Sequence, residues 1–323
     1  MDLVSFENII SVDNLLLAWK EFLRGKRKKK DVGGFQLNVM DNIISLHHDL
    51  INKTYTHGGY EAFNISDPKS RNIHKASVRD RLLHHAIYRV LYPYFDTKFI
   101  HDSYSCRKWK GTHRAIDRFR DFSRIVSKNN TKQCWILKCD IRKFFASIDQ
   151  KILIDILKYY NLDKDIIWLI KKVTDSFYST EVGRGLPLGN LTSQLLVNIY
   201  MNEFDQYVKH RLKQKYYIRY ADDFVFLSQD KNELINLLQY IVVVLKERLK
   251  LTIHPKKVYL KTLSSGVDFL GFVHFPNHRT LRTVTKRMMM KKLRGNPSKE
   301  TMQSYLGLLR HGNTYNLERK VLS

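Results

Sequence analysis

The string "IRYADDFVFL" (218–227) sets Asp222 and Asp223 side by side among residues that favour strands. Adjacent carboxylates repel, and a strand interior gains nothing from them. Two readings cover the pair: a tight solvated turn, or a cation held between the pair and a third acid. "CWILKCDIRKFFASID" (134–149) offers that acid, since it reads as a buried strand ending at Asp140. Three carboxylates brought together are costly unless cations neutralise them. Oxygen ligands with no histidine nearby point to Mg²⁺, with Mn²⁺ able to substitute, and to phosphate oxygens as further ligands. Two such ions about 3.5–4 Å apart activate an attacking hydroxyl and stabilise a leaving pyrophosphate.

The elements that must position these acids follow in order. "KYYIRYADDFVFLS" reads as two short strands around a turn, "KNELINLLQYIVVVLKERLKL" as an amphipathic helix, and "HPKKVYLKTLSSGVDFLGFVHF" as a return to strands. Acids at a strand end and a hairpin tip predict a βαββ-type sheet with helices on one face, an α+β fold. "EVGRGLPLGNLTSQLLVNIYMNEFDQYVKH" is a Gly/Pro-punctuated loop feeding a helix from about Thr192, its glycines wrongly spaced for a dinucleotide fingerprint. Strand-like character gives way to helix around Ala76, and Lys69, Arg71, Lys75, Arg79 and Arg81 lie close enough to converge on one anion. "RGKRKKKDVGG" reads as a solvated basic loop with a Gly-Gly break, open to phosphate. His47/His48 and His84/His85 suit helix surface or packing better than metal. Asp149 reads as a capping acid, Asp205 and Asp230 as surface, and Met288–Met290 as helix packing.

The 323 residues carry 56 Lys+Arg against 31 Asp+Glu, a formal +25. A surplus of that size favours a polyanionic partner over a merely basic surface. Three cysteines, Cys106, Cys134 and Cys139, are an odd number without metal-ligand spacing, so a reducing, cytoplasmic setting is expected, with Cys134 and Cys139 as small core residues. The N-terminal "MDLVSFENIISVDNLLLAWKEF" reads as one amphipathic helix rather than a leader, and no apolar run reaches membrane-spanning length, so a soluble protein is expected.

"CDIRKFFASID", "GLPLGNLTSQ" and "YADD", in this order and spacing, resemble three successive core motifs of a reverse transcriptase. "DPKSRNIHKASVRDR" is similar to the preceding fingers motifs, "HPKK" to the motif after the aspartate pair, and "VDFLGF" to the primer grip. The resemblance covers roughly residues 30–275. It implies a right-hand polymerase, with fingers over 1–115 (150–185 contributing), a palm of antiparallel sheet backed by helices over 116–275, and a short helical thumb over 276–323. It implies that Asp140, Asp222 and Asp223, with the Ile141 carbonyl, are metal ligands. Phe145 matches the bulky gate that excludes a 2′-hydroxyl, although Phe144 beside it is equally bulky and core packing competes. Lys69, Arg71, Arg79 and Arg81 are candidates for triphosphate binding. Lys257, or nearly equally Lys256, would protonate pyrophosphate, and Phe269, Leu270 and Gly271 would form the primer grip.

Most bacterial and retroviral relatives carry Gln-Gly…Ser-Pro where this chain has Leu188-Gly189…Ser193-Gln194. That departure, with the ending "SYLGLLRHGNTYNL", resembles the enzymes of diversity-generating retroelements, a group related to group II intron and retron reverse transcriptases. Such enzymes copy a template RNA into cDNA with frequent errors opposite adenine, and the mutated copy replaces part of a target gene. Leu188, Gly189 and Gln194 then border the incoming dNTP. Leu188 offers it no hydrogen bond, and lost polar complementarity costs selectivity. The resemblance also implies template RNA, a cDNA/RNA hybrid and a small basic helical accessory protein, usually a pentamer, as partners. No HNH or ribonuclease H stretch is visible, so strand integration is expected of other proteins. The alternatives are a retron-type or phage-defence reverse transcriptase, an RNA-dependent RNA polymerase, which Phe145 disfavours, and, from a different class, a catalytically silent nucleic-acid-binding protein.

Overall fold

The computed structural model describes residues 4–65, 71–295 and 297–322. They gather into two compact units. One joins the chain up to His101 with Arg142–Tyr207 and Val244–Thr252, and the other joins Asp102–Ile141, Val208–Val243 and the chain from Ile253 onward.

The first unit is mainly helical. Ser5 and Ser11 each accept a bond from a backbone N–H three residues on, so the single N-terminal helix expected is in fact two, Phe6–Ile10 and Val12–Phe22. The chain turns within the basic run, but Gly33 and Gly34 do not break it: both lie inside helix Lys30–Leu37, anchored by the buried Val32. Strands β1 (Tyr60–Ile65) and β2 (Arg71–Ala76) pair antiparallel, and Ser77 then caps helix Val78–Asp96, where the sequence changes period. Leu82, Leu83, Ala86, Ile87 and Leu91 face its core at helical spacing. His84 is buried there against His57, and burial holds its pKa down to about 3. Asp149 caps helix Gln150–Tyr159 as expected, accepting from the Ile152 N–H (3.1 Å) and pairing with Lys250 (2.8 Å). Helix Lys164–Asp175 follows, then helix Leu191–Gln206, which starts one residue before the expected Thr192. Asp205 corrects the sequence reading. It is buried, because almost every face of that last helix is covered, and a lone acid near a helix end gives no sign of this.

The second unit holds β3 (Trp135–Asp140), β4 (Tyr217–Tyr220), β5 (Asp223–Ser228) and β6 (Tyr259–Thr262), all antiparallel in the order β4-β5-β3-β6. A second sheet carries β7 (Val267–Phe269), β8 (Phe272–His274) and β9 (Arg279–Leu281). Alternation along the strands sends Ile136, Ile218, Val225 and Leu227 into one core with Ile116, Phe119 and Phe122 of helix Thr112–Val126. Phe269, Phe272, Met289 and Leu309 join it, so the segments expected as palm and thumb share that core. Met289 is buried and Met290 packs alongside, matching the expected packing role. Cys134 and Cys139 are buried, and burial pushes both thiols up to about 12. No described helix is long and apolar enough to cross a membrane.

Candidate active site

Strand register brings the acids together. In the antiparallel pair β3–β5, Asp140 lies directly opposite Asp223. The β4–β5 hairpin closes through Ala221 and Asp222, between the paired Tyr220 and Asp223. Ala221 takes the left-handed conformation (φ +55°) that so short a turn demands. The Ile141 N–H donates to the Asp222 carbonyl (3.1 Å), and the His254 N–H to the Asp140 carbonyl (2.7 Å). The turn is therefore present, with Asp222 in it, and Asp223 opens a strand directly opposite a third acid, Asp140. Period-two alternation puts Lys138 and Asp140 on the face of Ile136, and Asp223 on the face of Val225. One end of this face is apolar core, and the other is charged.

Like charges directly opposite each other on paired strands are destabilising. Two ammonium groups offset them: Lys257 Nζ lies 2.8 Å from Asp140 Oδ1, and Lys138 Nζ 3.1 Å from Asp223 Oδ2. The compensation is partial. Burial pushes the Asp223 carboxyl up to about 6; Lys138 pulls it back, while Asp140 and Asp222 add to the rise. Its Oδ1 is buried with no hydrogen-bond partner among the described residues. Among those residues no three His, Cys, Asp or Glu side chains already converge as metal ligands, and the two lysines serve as the local cations. An orphaned carboxylate oxygen in an all-oxygen donor set nevertheless fits a hard divalent cation.

Of the two lysines weighed for proton delivery, Lys257 reaches Asp140 from the one-turn helix Pro255–Lys257, and Lys256 is exposed. Lys138 was covered by no sequence expectation. Its Nζ also donates to the Asp268 carbonyl (2.9 Å), tying the acids to the next hairpin. The available signal was spacing, since a lysine two places before Asp140 on a strand must share its face. Arg219 was likewise unforeseen. Fully buried, it donates to the Ala221 carbonyl and to Ser103 Oγ, both at 3.1 Å, and so clamps the aspartate-bearing turn. In the primer-grip string, Phe269 is core, packed on Phe119 with ring centroids 5.4 Å apart, while Leu270 and Gly271 form the β7–β8 turn.

The remaining candidates lie in the first unit. Phe144 is buried and Phe145 only half-buried, which separates two residues the sequence left equivalent. The Leu188 carbonyl accepts from the His74 N–H of β2 (3.0 Å). Gly189 has φ +115°, and a Cβ there would come within 2.8 Å of Ile73 Cγ2, so a side chain is excluded by both conformation and space. Gln194 is half-buried in the first turn of helix Leu191–Gln206. Arg71 is exposed on β2. Lys75 and Arg81 do converge, but on the Asp31 carboxylate (2.9 and 2.6 Å), and Arg79 pairs with Asp49. Lys69 lies outside the described residues.

Residues 65–274 match the family model described as "Reverse transcriptase (RNA-dependent DNA polymerase)". The chain belongs to the reverse transcriptase family. It is similar to Protein YkfC of Escherichia coli (strain K12), 25% identical over 255 residues that cover 67% of this chain and 65% of that protein. The group II intron-encoded protein LtrA of Lactococcus lactis subsp. cremoris is 26% identical over 153 residues, 46% of this chain and 24% of its own. Among solved structures, apo telomerase from Candida tropicalis truncated from its C-terminal domain aligns with a TM-score of 0.52 at 13% identity, covering 71% of this chain and 55% of that one. That likeness concerns the fold, an α+β polymerase fold of helices and antiparallel sheets. The chain spans less than two thirds of the length of each of these relatives.

Proposed function

We propose that this chain is an RNA-directed DNA polymerase that copies a template RNA into cDNA in a diversity-generating retroelement. The observation that carries the polymerase reading is the register: Asp140 opposite Asp223, Asp222 in the adjoining turn, and a buried Asp223 oxygen without a partner. Mg²⁺ held as two ions by Asp140, Asp222 and Asp223, with the Ile141 carbonyl, would polarise a phosphoryl group and acidify an attacking hydroxyl. The chain's own contribution is positional. Paired strands fix the separation of the carboxylates, Arg219 holds the turn, and Lys138 ties Asp223 to the hairpin bearing Leu270 and Gly271. Lys257 keeps an ammonium at Asp140 and would give its proton to leaving pyrophosphate.

In this reading residues 1–115 with 150–185 act as fingers, 116–275 as palm and 276–323 as thumb. Phe145, freed from the core by Phe144, is the gate against ribonucleotides. Arg71 offers an exposed cation to the triphosphate, whereas Arg79 and Arg81 would exchange Asp49 and Asp31 for phosphate. The retroelement reading is supported by Leu188-Gly189 and Gln194, and its partner is a small basic helical accessory protein, a pentamer in that group. Its working place is cytoplasmic, in keeping with three free cysteines.

Primer extension on mixed-sequence RNA with dNTPs and Mg²⁺, followed by cDNA sequencing, tests this. Errors concentrated opposite adenine support the retroelement, and faithful cDNA assigns the chain to the retron or phage-defence class. Nucleic-acid binding without any product, with accessory protein added, leaves a silent binder. Within the retroelement reading, Leu188→Gln restores a polar contact and should lower misincorporation opposite adenine about tenfold. An unchanged error spectrum in that variant removes Leu188 from the fidelity argument.

A further inference from the structure

Helix Thr112–Val126, the β8–β9 turn and residues 310–313 enclose a cavity of about 240 Å³. Arg120, Arg124, Arg279 and Arg310 line it, and no carboxylate does among the described residues. Arg279 is committed to Asp117 (3.0 Å) and to the His311 carbonyl. Arg120 keeps long pairs to Asp117 (3.8 Å) and Asp121 (4.0 Å). Arg124 and Arg310 are exposed, and neither guanidinium has a partner among the described residues. Unpaired cations around one hollow add self-repulsion and give the fold nothing in return. Beside them the exposed His278 ring lies flat on Phe275, with centroids 4.7 Å apart and planes 13° apart. Cations for phosphate next to a flat ring for a base are the two elements of single-strand recognition.

The cavity is not the carboxylate site. Leu263 lines it and donates its N–H to the carbonyl of Cys134, just before β3, whereas Asp140 ends β3. At about 3.3 Å per residue the two places lie roughly 20 Å apart along the strand.

We propose that this cavity is a nucleic-acid exosite, which seats a backbone phosphate of a single strand between Arg124 and Arg310 with the adjoining base on His278. It rests on the proposed function in one respect: the strand is then template RNA outside the copied stretch, or the cDNA leaving it. Fluorescence anisotropy of single-stranded RNA and DNA of about 20 nucleotides, titrated with the full chain across 50–200 mM salt, tests it. For Arg124→Ala/Arg310→Ala, affinity for the bound strand should fall about tenfold, with the salt slope reduced by about 1. His278→Ala should weaken binding several-fold without changing the slope. Lys158→Ala/Lys246→Ala removes the same charge elsewhere and should change neither. A loss confined to RNA assigns the template, one confined to DNA the product, and equal losses a shared backbone contact. Unchanged affinity and slope in the arginine variant, or an equal loss in the lysine control, overturns the exosite. Extension of a short primer–template by the same variants reports separately on the polymerase: it should stay within about twofold of the parent, and failure in the parent itself counts against the function, not the exosite.

Discussion

Two hairpins of the second unit close alike and are held in opposite ways. β4–β5 turns through Ala221 and Asp222, and β7–β8 through Leu270 and Gly271. Each places a non-glycine residue in the left-handed region at the first turn position, φ +55° and +50°. Phe269 and Phe272, which flank the second turn, are both fully buried, so core packing fixes it. Tyr220 and Asp223, which flank the first, are only partly buried. That turn is fixed by polar contacts instead, with Arg219 on the Ala221 carbonyl and Lys138 on Asp223. One ammonium joins the two, because Lys138 also holds the Asp268 carbonyl. A short turn aims its side chains well either way. Aiming acids requires the sheet to bring its own cations, and the fold gives up some stability where reactivity is wanted.

The largest effect expected from breaking this contrast is at Asp223. Asp223→Asn should lower extension about a thousandfold or more, since metal-assisted stabilisation is worth several kcal/mol. The melting temperature should hold or rise, because burial already disfavours the charge. A variant that loses stability along with activity would place the residue in the scaffold instead. Arg219→Met should act the other way, destabilising the chain by about 3 kcal/mol in urea unfolding, as a buried bonding network is broken. Retained stability there would mean the turn needs no clamp.

Uncoupling the hairpins is a smaller step. Lys138→Met should reduce the maximal extension rate about tenfold with the dNTP KM unchanged, as expected of a residue that positions Asp223 through one charge-assisted bond. A rise in KM alone would make Lys138 a nucleotide contact. The smallest effect belongs to the packed turn. Gly271 has φ +90° but open space where a Cβ would stand, so Gly271→Ala should cost about 1 kcal/mol through backbone conformation alone. A several-fold larger loss would show that its close surroundings matter too.

The same contrast governs what the sequence could reveal. The placement of Asp140 at a strand end and of Asp222 and Asp223 at a hairpin tip was legible because acids there interrupt runs of strand-forming residues. Helix starts at Val78 and Leu191 were legible through the change of period and the loop chemistry before them. Lys138 and Arg219 were not, since a lysine or arginine inside a strand reads as an edge or solvent-facing residue until the register is known. Gly33 and Gly34 mimicked a break that the burial of Val32 overrides. Asp205 looked like surface because burial from several sides leaves no mark on one residue. Phe145 and Phe144 could be told apart only once a short helix had turned one inward.

The most direct test is extension of a DNA primer on an RNA template by the full chain with Mg²⁺, run beside Asp223→Asn at matched folding. The expected result is metal-dependent cDNA from the parent and essentially none from the variant. Equal cDNA from both, or none from the parent even with accessory protein present, would contradict the assignment of Asp140, Asp222 and Asp223 as the polymerising centre.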